Sequence, residues 1–204
     1  MSIWGAHELY EHYAAAWNAV AYRFSAAAQA GDDFEASVEA FGAAPPPEER
    51  YRQDKALAEF FGNGFSTFES AFYGLHTIAT FIDPASFSLE TPKAMRQVSP
   101  AQVSVAFTKA FPGDQILAAF NSLFDDAAYR EWGEIRNVLT HRTAPGRRMY
   151  VGLEGDDAPG TEWKLNGIVI DASMVRVRRS ALARALGDLL AAVAAFVAAK
   201  AQPL

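Results

Sequence analysis

The chain has 204 residues, of which 50% are apolar, 13% aromatic and 21% charged, as expected of a globular protein with a sizeable core. It has no cysteine, which excludes disulfides, thiolate metal sites and cysteine nucleophiles and suits a reducing cytoplasm. No signal peptide is apparent, and the most apolar tract, residues 189–199, is well short of a membrane span. We therefore predict a cytoplasmic protein with no membrane attachment.

The charge is unevenly distributed along the chain. Residues 1–129 hold 7 Lys and Arg against 16 Asp and Glu, whereas residues 130–184 hold 10 against 7. The net charge of -6 gives the protein no long-range attraction for nucleic acid. A local Arg-rich surface in the second segment could still hold a few phosphates, so RNA stays open as a ligand.

The N-terminal part is predicted to be helical, with one stiff connector. Over residues 6–29, apolar residues recur every three or four positions on one stripe, which is typical of an amphipathic helix. The Gly-Asp-Asp segment 31–33 is expected to end this helix, and a short acidic helix is expected over 33–41. No helix continues through three consecutive prolines, so residues 42–47 are predicted to form a connector.

The clearest pattern predicts a long second helix over about 48–82. Its apolar residues are spaced alternately by four and three, which is typical of a seam between antiparallel helices in a bundle. The seam consists of Phe61, Phe65, Phe68, Phe72, Leu75, Ala79 and Ile82. Residues 84–99 have few periodic apolar positions and are predicted to be a loop.

Helix-capping signals divide the next part of the chain into three helices. Ser99 before a proline is a typical helix start and predicts a helix to about residue 110. Asp114, after a Pro-Gly break, is expected to cap a helix through residue 124. A further helix is predicted over 126–141.

A β-hairpin is predicted before the last helix. Residues 147–153 and 163–169 have strand-like composition and flank a turn-rich segment. The last helix is predicted over 172–199. The predicted fold class is mainly α: an up-and-down helical bundle, forming a single domain over residues 1–204, with a small β-hairpin appendage at about 147–170.

A helical wheel of the helix over 126–141 separates a core face from an outward face. The core face is expected to hold Phe124, Ala128, Trp132, Ile135, Val138 and Leu139. Asn137 and His141 lie one above the other on roughly the opposite side, with Arg136 on the flank between. These three polar side chains are therefore expected to face solvent or another subunit.

Arg136 and His141 have the chemistry that metal-free RNA cleavage needs. An imidazole with both charge states accessible can take the proton of the 2′-hydroxyl or protonate the leaving 5′-oxygen, while Arg stabilises the pentacovalent phosphate. The helix carbonyls near His141 favour its protonated form, whereas Arg136 and Arg142 oppose it by like-charge repulsion.

Arg136, Asn137 and His141 resemble the motif of the HEPN superfamily, in which an Arg is followed after four to six residues by His, often with Asn, Asp or His directly after the Arg. HEPN domains are helical bundles, commonly dimeric. The resemblance implies that two copies of the motif meet at a homodimer interface and form one metal-independent endoribonuclease site, with no cofactor. It also implies RNA as substrate and, within toxin or defence systems, a cognate antitoxin protein as partner. It does not account for the hairpin or the last helix.

Further arginines are candidate RNA or phosphate ligands. Those that follow the motif are Arg142, Arg147 and Arg148. Arg176, Arg178 and Arg179 could extend them into a phosphate-binding rim, since cations near a helix N-terminus are unfavourable for its dipole unless an anion compensates. The alternative is that the three arginines of the last helix pair with Asp171 and the acidic segment 154–157.

Two other interpretations remain open. Arg136 could pair with Glu131 or Glu134 as a surface residue, with Asn137 and His141 capping the helix end. A metal site could be built from the candidate ligands His7, Glu8, Glu11, His12, Glu69 and His76. The Glu-x-x-His spacing of di-iron bundles is absent, however, so no metal site is predicted.

Polar residues border the apolar seam of the second helix: Glu69, Tyr73, His76 and Thr80. They are expected to be hydrogen-bonded at the edge of the core, because polar groups there need partners. Alternatively, Glu69 or His76 orients the Arg136 region from the neighbouring helix.

Two functional hypotheses follow. In the first, the protein is a HEPN-like endoribonuclease in which His141 is the acid or base, Arg136 stabilises the phosphate and Asn137 positions it. In the second, it is a non-catalytic helical interaction module, and the same surface is a dimer or partner contact. The sequence contains no Gly-rich phosphate loop and no Ser-His-Asp set that would favour another chemistry.

Overall fold

The computed structural model describes residues 3–141, 145–150 and 160–200; the side chains of 3–6 and of His141 lie outside this description. The helices of the described chain are α1 (Ile3–Phe41), α2 (Pro47–Ile82), α3 (Pro92–Gln97), α4 (Pro100–Ala110), α5 (Ile116–Asp125), α6 (Ala127–His141) and α7 (Ala172–Lys200). The strands are β1 (Arg147–Met149), β2 (Thr161–Leu165) and β3 (Ile168–Val169). The predicted fold class, mainly α with a small sheet before the C-terminal helix, is confirmed.

The two longest N-terminal helices, α1 and α2, form an antiparallel hairpin. A side-chain carbon on Gly31 near the end of α1 would lie 3.3 Å from the Phe60 ring, and one on Gly74 late in α2 would lie 3.3 Å from Ala16. The expected end of α1 at residues 31–33 is wrong, because the helix continues to Phe41. Gly31 is a point of close packing rather than a break, and fully buried Phe34 ties the last turns to the core.

The predicted second helix agrees with α2 within a residue at its start. Five seam residues are buried: Phe61, Phe68, Phe72, Leu75 and Ala79. The expectation of a loop over 84–99 is wrong in part, because α3 lies within it. Thr91 caps α3 by accepting a hydrogen bond from Ala94 N, and six residues are too few for an apolar period to reveal a helix.

Hydroxyl and carboxyl caps begin three later helices. Ser99 Oγ accepts from Gln102 N at 3.3 Å, as predicted for α4. Asp126 Oδ1 accepts from Tyr129 N at 3.0 Å and begins α6, and Asp171 Oδ1 accepts from Met174 N at 2.7 Å and begins α7. Asp114 lies one residue before the cap position of α5, where its carboxylate accepts from Ile116 N at 3.2 Å.

The sheet has three strands in the order β1-β2-β3, all antiparallel. The prediction of one strand over 163–169 is wrong, because Asn166 (φ 50°) and Gly167 (φ 84°) form a tight turn within it. Asn-Gly is the typical sequence of this left-handed turn. Residues 151–153 of the other predicted strand lie outside the described residues. The sheet docks on the bundle through buried Trp163, whose ring lies 5.6 Å from that of Phe34.

Helix α7 packs against α1, α2, α5 and α6. Its buried residues include Leu182, Leu186, Leu189, Val193 and Phe196. By length and composition it is the one described helix able to cross a membrane, with a mean hydropathy of 1.8 over 18 residues, of which 33% are buried. Core helices of water-soluble proteins meet the same criterion, so the cytoplasmic location stays a prediction.

The contact between α2 and α6 is built around Trp132, which is 2% exposed. Its ring lies 4.9 Å from that of Phe60 and 5.1 Å from that of Phe61, and its Nε1 donates to Phe61 O at 3.0 Å. A side-chain carbon on Gly64 would lie 2.5 Å from the Trp132 ring. Gly64 is therefore required for α6 to approach α2 this closely.

Two glycine substitutions within one turn of α2 are expected to have opposite effects. Gly62→Ala meets nothing within 4 Å and should raise the free energy of unfolding by about 0.5–1 kcal/mol, since alanine favours helix. Gly64→Ala should lower it by about 1–3 kcal/mol, because the Trp132 indole must move. Urea unfolding of both variants measures the difference, and equal effects would contradict this packing.

Candidate functional site

Helix α6 is oriented by its core face in the way the wheel predicted. Trp132 and Ile135 are each 2% exposed, and Val138 and Leu139 pack partly buried against the same core. Asn137 is exposed on the other side of the helix. The motif therefore begins on a helix whose rotation about its own axis is fixed by packing.

Arg136 is held at the junction of α6 and α2. Its side chain is 24% exposed, and its Nη2 lies 3.5 Å from Glu69 Oε1. Nη1 donates to Asn137 Oδ1 at 3.1 Å, and the guanidinium carbon lies 5.5 Å from the centre of the Phe65 ring. This arrangement places one guanidinium edge toward Glu69 and another beside an exposed amide.

The partner of Arg136 differs from the surface pairing considered from sequence. Glu131 instead binds Arg178 with both carboxylate oxygens, at 2.7 Å from Oε2 to Nη2. The alternative in which Glu69 orients Arg136 from the neighbouring helix agrees with the observed contact. Glu69 is itself fixed, since its Oε2 accepts from Ser66 Oγ at 2.9 Å.

Tyr129 lies in the same junction, one helical turn before Trp132. It packs on the rings of Phe65 and Phe68 at 5.5 and 5.0 Å. Burial, and secondly the negative charge of Glu69, raise the pKa of Tyr129 far above its ordinary value. Its phenol therefore stays neutral, and it contributes shape rather than a titrating proton to the site.

The end of the motif is described only in its backbone. His141 is the last residue of α6, four residues after Asn137, so its Cα lies about 6 Å further along the helix axis. The side chain of His141 and all of Arg142 lie outside the described residues. The structure thus brings together Arg136, Asn137 and Glu69, and places the His141 backbone one turn beyond.

Arg147, a candidate phosphate ligand, is buried and bound by residues of α2. Its side chain is 4% exposed, its Nη1 lies 3.1 Å from Asp54 Oδ1, and its Nη2 donates to Gln53 Oε1 at 3.0 Å. The guanidinium also lies 3.6 Å above the Trp163 ring. Burial raises the pKa of Asp54 despite the nearby arginine. We therefore assign Arg147 a structural role, in place of the phosphate-binding role expected from sequence. Arg148 is exposed on β1.

The arginines of α7 also find partners within the protein. Arg176 Nη1 lies 3.2 Å from both Glu35 and Glu39, and Arg179 pairs with Asp32 and Glu35. Arg178 is bound to Glu131, so each of the three arginines expected to form a phosphate-binding rim is paired with a carboxylate of α1 or α6. Asp171 caps α7 instead of pairing with them, and segment 154–157 lies outside the described residues.

The metal-ligand candidates are dispersed. His7 lies 3.4 Å from Glu11 at an exposed position, whereas His12 Nδ1 shares a hydrogen bond of 3.1 Å with Tyr73 Oη. His76 packs against Phe87, with 5.3 Å between ring centres. Within the described ranges, no group of three or more His, Cys, Asp or Glu side chains is arranged to bind a metal ion.

The expectation that His76 is hydrogen-bonded at the edge of the core is wrong: the residue is partly buried, and neither of its two buried ring nitrogens has a hydrogen-bond partner among the described residues. Burial lowers its pKa below the ordinary 6.5, although the polar backbone at Ser88 opposes part of this change. The unfolded chain therefore binds the proton more readily than the folded protein. The contribution of neutral His76 to the free energy of unfolding is complete above pH 6.5 and is lost as the pH falls toward the pKa of His76 in the folded protein.

His76→Leu is expected to flatten the pH dependence of stability. Below pH 6.5 the free energy of unfolding of the wild type should fall by up to about 1.4 kcal/mol per pH unit more than that of the variant. This slope is the maximum that the uptake of one proton can cause. Thermal unfolding between pH 7 and pH 5 measures both slopes, with exposed His7→Ala as control. Parallel slopes for wild type and His76→Leu would contradict a buried neutral imidazole.

A surface cavity beside the Arg136 contact was not anticipated from the sequence. It has a volume of about 420 Å³ and lies between α1, α2 and the start of α4. Its polar lining comprises Arg23, Glu69, Ser70, Tyr73 and Ser99. No sequence signal marks it, because it is formed by three segments that meet only in the folded chain.

Comparisons with known proteins add no family to these observations. No protein-family model matches the sequence, no curated protein matches it, and no solved structure matches the fold.

Proposed function

We propose that the protein is a metal-independent endoribonuclease of the HEPN type, with Arg136, Asn137 and His141 as its catalytic residues. The observation that carries the proposal is the state of Arg136, a partly buried guanidinium aimed at the surface beside exposed Asn137. Because the Arg136 side chain is already 24% exposed, it can bind a phosphate at the surface without a change in the packing of α6.

The contact with Glu69 supports a positioning role rather than a permanent ion pair. Arg136 meets Glu69 through one nitrogen at 3.5 Å, whereas Arg178 binds both oxygens of Glu131 at shorter distances. Bidentate Arg–carboxylate pairs are the stronger kind. Arg136 is therefore oriented by Glu69, while the donors it does not use there remain available for phosphate oxygens.

The chemistry assigns one role to each residue of the motif. A base removes the proton from the 2′-hydroxyl, and the 2′-oxygen attacks phosphorus. The bond from phosphorus to the 5′-oxygen then breaks, and an acid protonates that oxygen. His141 serves as acid or base, Arg136 stabilises the pentacovalent phosphate, and Asn137 positions it. The outward face of α6 suits a homodimer in which two motifs supply both acid and base.

The test of the proposal is cleavage of single-stranded RNA in EDTA. Arg136→Ala should lower the rate by about 10²–10³-fold, the usual cost of losing one group that stabilises the transition state. Arg130→Ala, an exposed arginine on the same helix, should leave the rate unchanged. If the protein cuts no RNA, or both variants cut equally well, the proposal fails.

A non-catalytic interaction module is the second candidate, and one observation favours it at a surface other than the Arg136 face considered from sequence. Tyr10, Phe81 and Ile82 are exposed apolar residues around a groove between α1, α2 and α7. This groove is separate from the Arg136 contact, because Ile82 lies 13 residues after Glu69, about 20 Å along the axis of α2. If the protein cuts no RNA but self-associates, and Phe81→Asp abolishes the self-association, the interaction module is supported over the ribonuclease.

A further inference from the structure

The cavity beside Arg136 has the size and position of a nucleotide subsite. Its volume of about 420 Å³ falls within the usual range for small-molecule sites, about 300–1,000 Å³. Small side chains of α1, Ala15, Ala16 and Ala19, leave the space open. Glu69 lines the cavity and also lies 3.5 Å from the Arg136 guanidinium, so the cavity and the proposed cleavage site share one carboxylate.

Arg23 supplies an unused cation to this cavity. It is partly buried on α1, and within the described part of the chain no carboxylate lies within 4.0 Å of its guanidinium. The arginines of α7 each have such a partner. A partly desolvated guanidinium facing a cavity is suited to a ligand with hydrogen-bond acceptors.

Glu69 supplies acceptors to the same space. Each carboxylate oxygen can accept about two hydrogen bonds, and the observed partners are Ser66 on Oε2 and Arg136 on Oε1. Acceptor capacity therefore remains on the carboxylate. The ligand that fits must present donors toward Glu69 and acceptors toward Arg23.

Guanine meets both requirements. Among the four RNA bases it alone offers two adjacent donors, N1–H and N2–H₂, for a carboxylate, together with two adjacent acceptors, O6 and N7, for a guanidinium. We propose that this cavity binds a guanine base, and that it selects guanosine next to the phosphate cleaved at Arg136. The second half of the inference rests on the proposed ribonuclease function.

Binding of mononucleotides tests the guanine site apart from cleavage. Titration calorimetry with GMP, AMP, CMP and UMP should show GMP binding about tenfold or more tighter than the others, the discrimination typical of one bidentate contact. Arg23→Ala should remove this preference. Ala19→Trp fills the cavity and should abolish GMP binding, whereas Ala21→Trp, exposed on the same helix, should not.

The outcomes separate the site from the enzyme. GMP selectivity that is lost in Arg23→Ala supports the guanine site even if the protein cuts no RNA. If the protein cleaves RNA but neither binds GMP preferentially nor cuts preferentially next to guanosine, the inference is overturned and the ribonuclease proposal stays intact. Equal GMP affinity in wild type and Ala19→Trp would also overturn it. If Ala19→Trp does not fold, Arg23→Ala decides alone.

Discussion

Replacing His141 by alanine is expected to lower the rate of RNA cleavage by about 10²–10⁴-fold, the usual contribution of a general acid or base. Burial holds the phenol of Tyr129, one of the described residues of α6, in its neutral form, so it cannot replace His141 as acid or base near neutral pH. Loss of His141 should therefore affect the chemical step more than RNA binding.

The matched control is His7→Ala, which removes an exposed imidazole from α1. It should cleave RNA at the wild-type rate. Single-turnover cleavage in EDTA, with RNA binding measured separately, distinguishes the two effects. If His141→Ala retains its cleavage rate, or loses RNA binding and cleavage in equal proportion, His141 is not the acid or base.

The second large effect is expected at the anchor of the site. Trp132→Ala should lower the free energy of unfolding by about 3–5 kcal/mol, since it removes a large aromatic side chain from the core. The cavity would open between Phe60, Phe61 and Gly64, which pack on the indole. Position 132 fixes the rotation of α6, so the loss of packing also releases Arg136 from Glu69.

Trp132→Phe separates packing from hydrogen bonding. It keeps much of the apolar volume but loses the bond from Nε1 to Phe61 O, and it should cost clearly less than the alanine variant. Urea unfolding gives both values. A cost below about 1 kcal/mol for Trp132→Ala would contradict the assignment of this residue as the anchor of α6.

The bundle was predictable because its apolar periods are long and regular. The seam of α2 spans six turns, and the wheel of α6 placed Trp132 and Ile135 in the core as observed. Capping residues such as Ser99 marked helix starts because a side-chain oxygen must satisfy the first amides. These are local properties, which a sequence carries without knowledge of the fold.

Features that depend on distant partners were not predictable. Gly31 looks like a helix end until Phe60 and Val175 are seen to pack against it. The Asn166-Gly167 turn had a local signal that the strand pattern masked. For the charged residues, the sequence shows that Arg147 is basic but not that Asp54 and Trp163 enclose it.

The candidate site shows the same division. The outward position of Asn137 followed from helix geometry, and the role of Glu69 was one of two alternatives at the border of the seam. The cavity beside Arg23 joins α1, α2 and α4 and has no counterpart in any single stretch of sequence.

The central claim is that the end of α6 cleaves RNA by attack of the 2′-oxygen without a metal ion. Its most direct test is the chemical nature of the product ends after wild-type protein acts on single-stranded RNA in EDTA. We expect 5′-hydroxyl ends and 2′,3′-cyclic phosphate ends, both formed about 10²–10³-fold more slowly with the Arg136→Ala protein. Intact RNA, or products with 3′-hydroxyl ends, would contradict the claim.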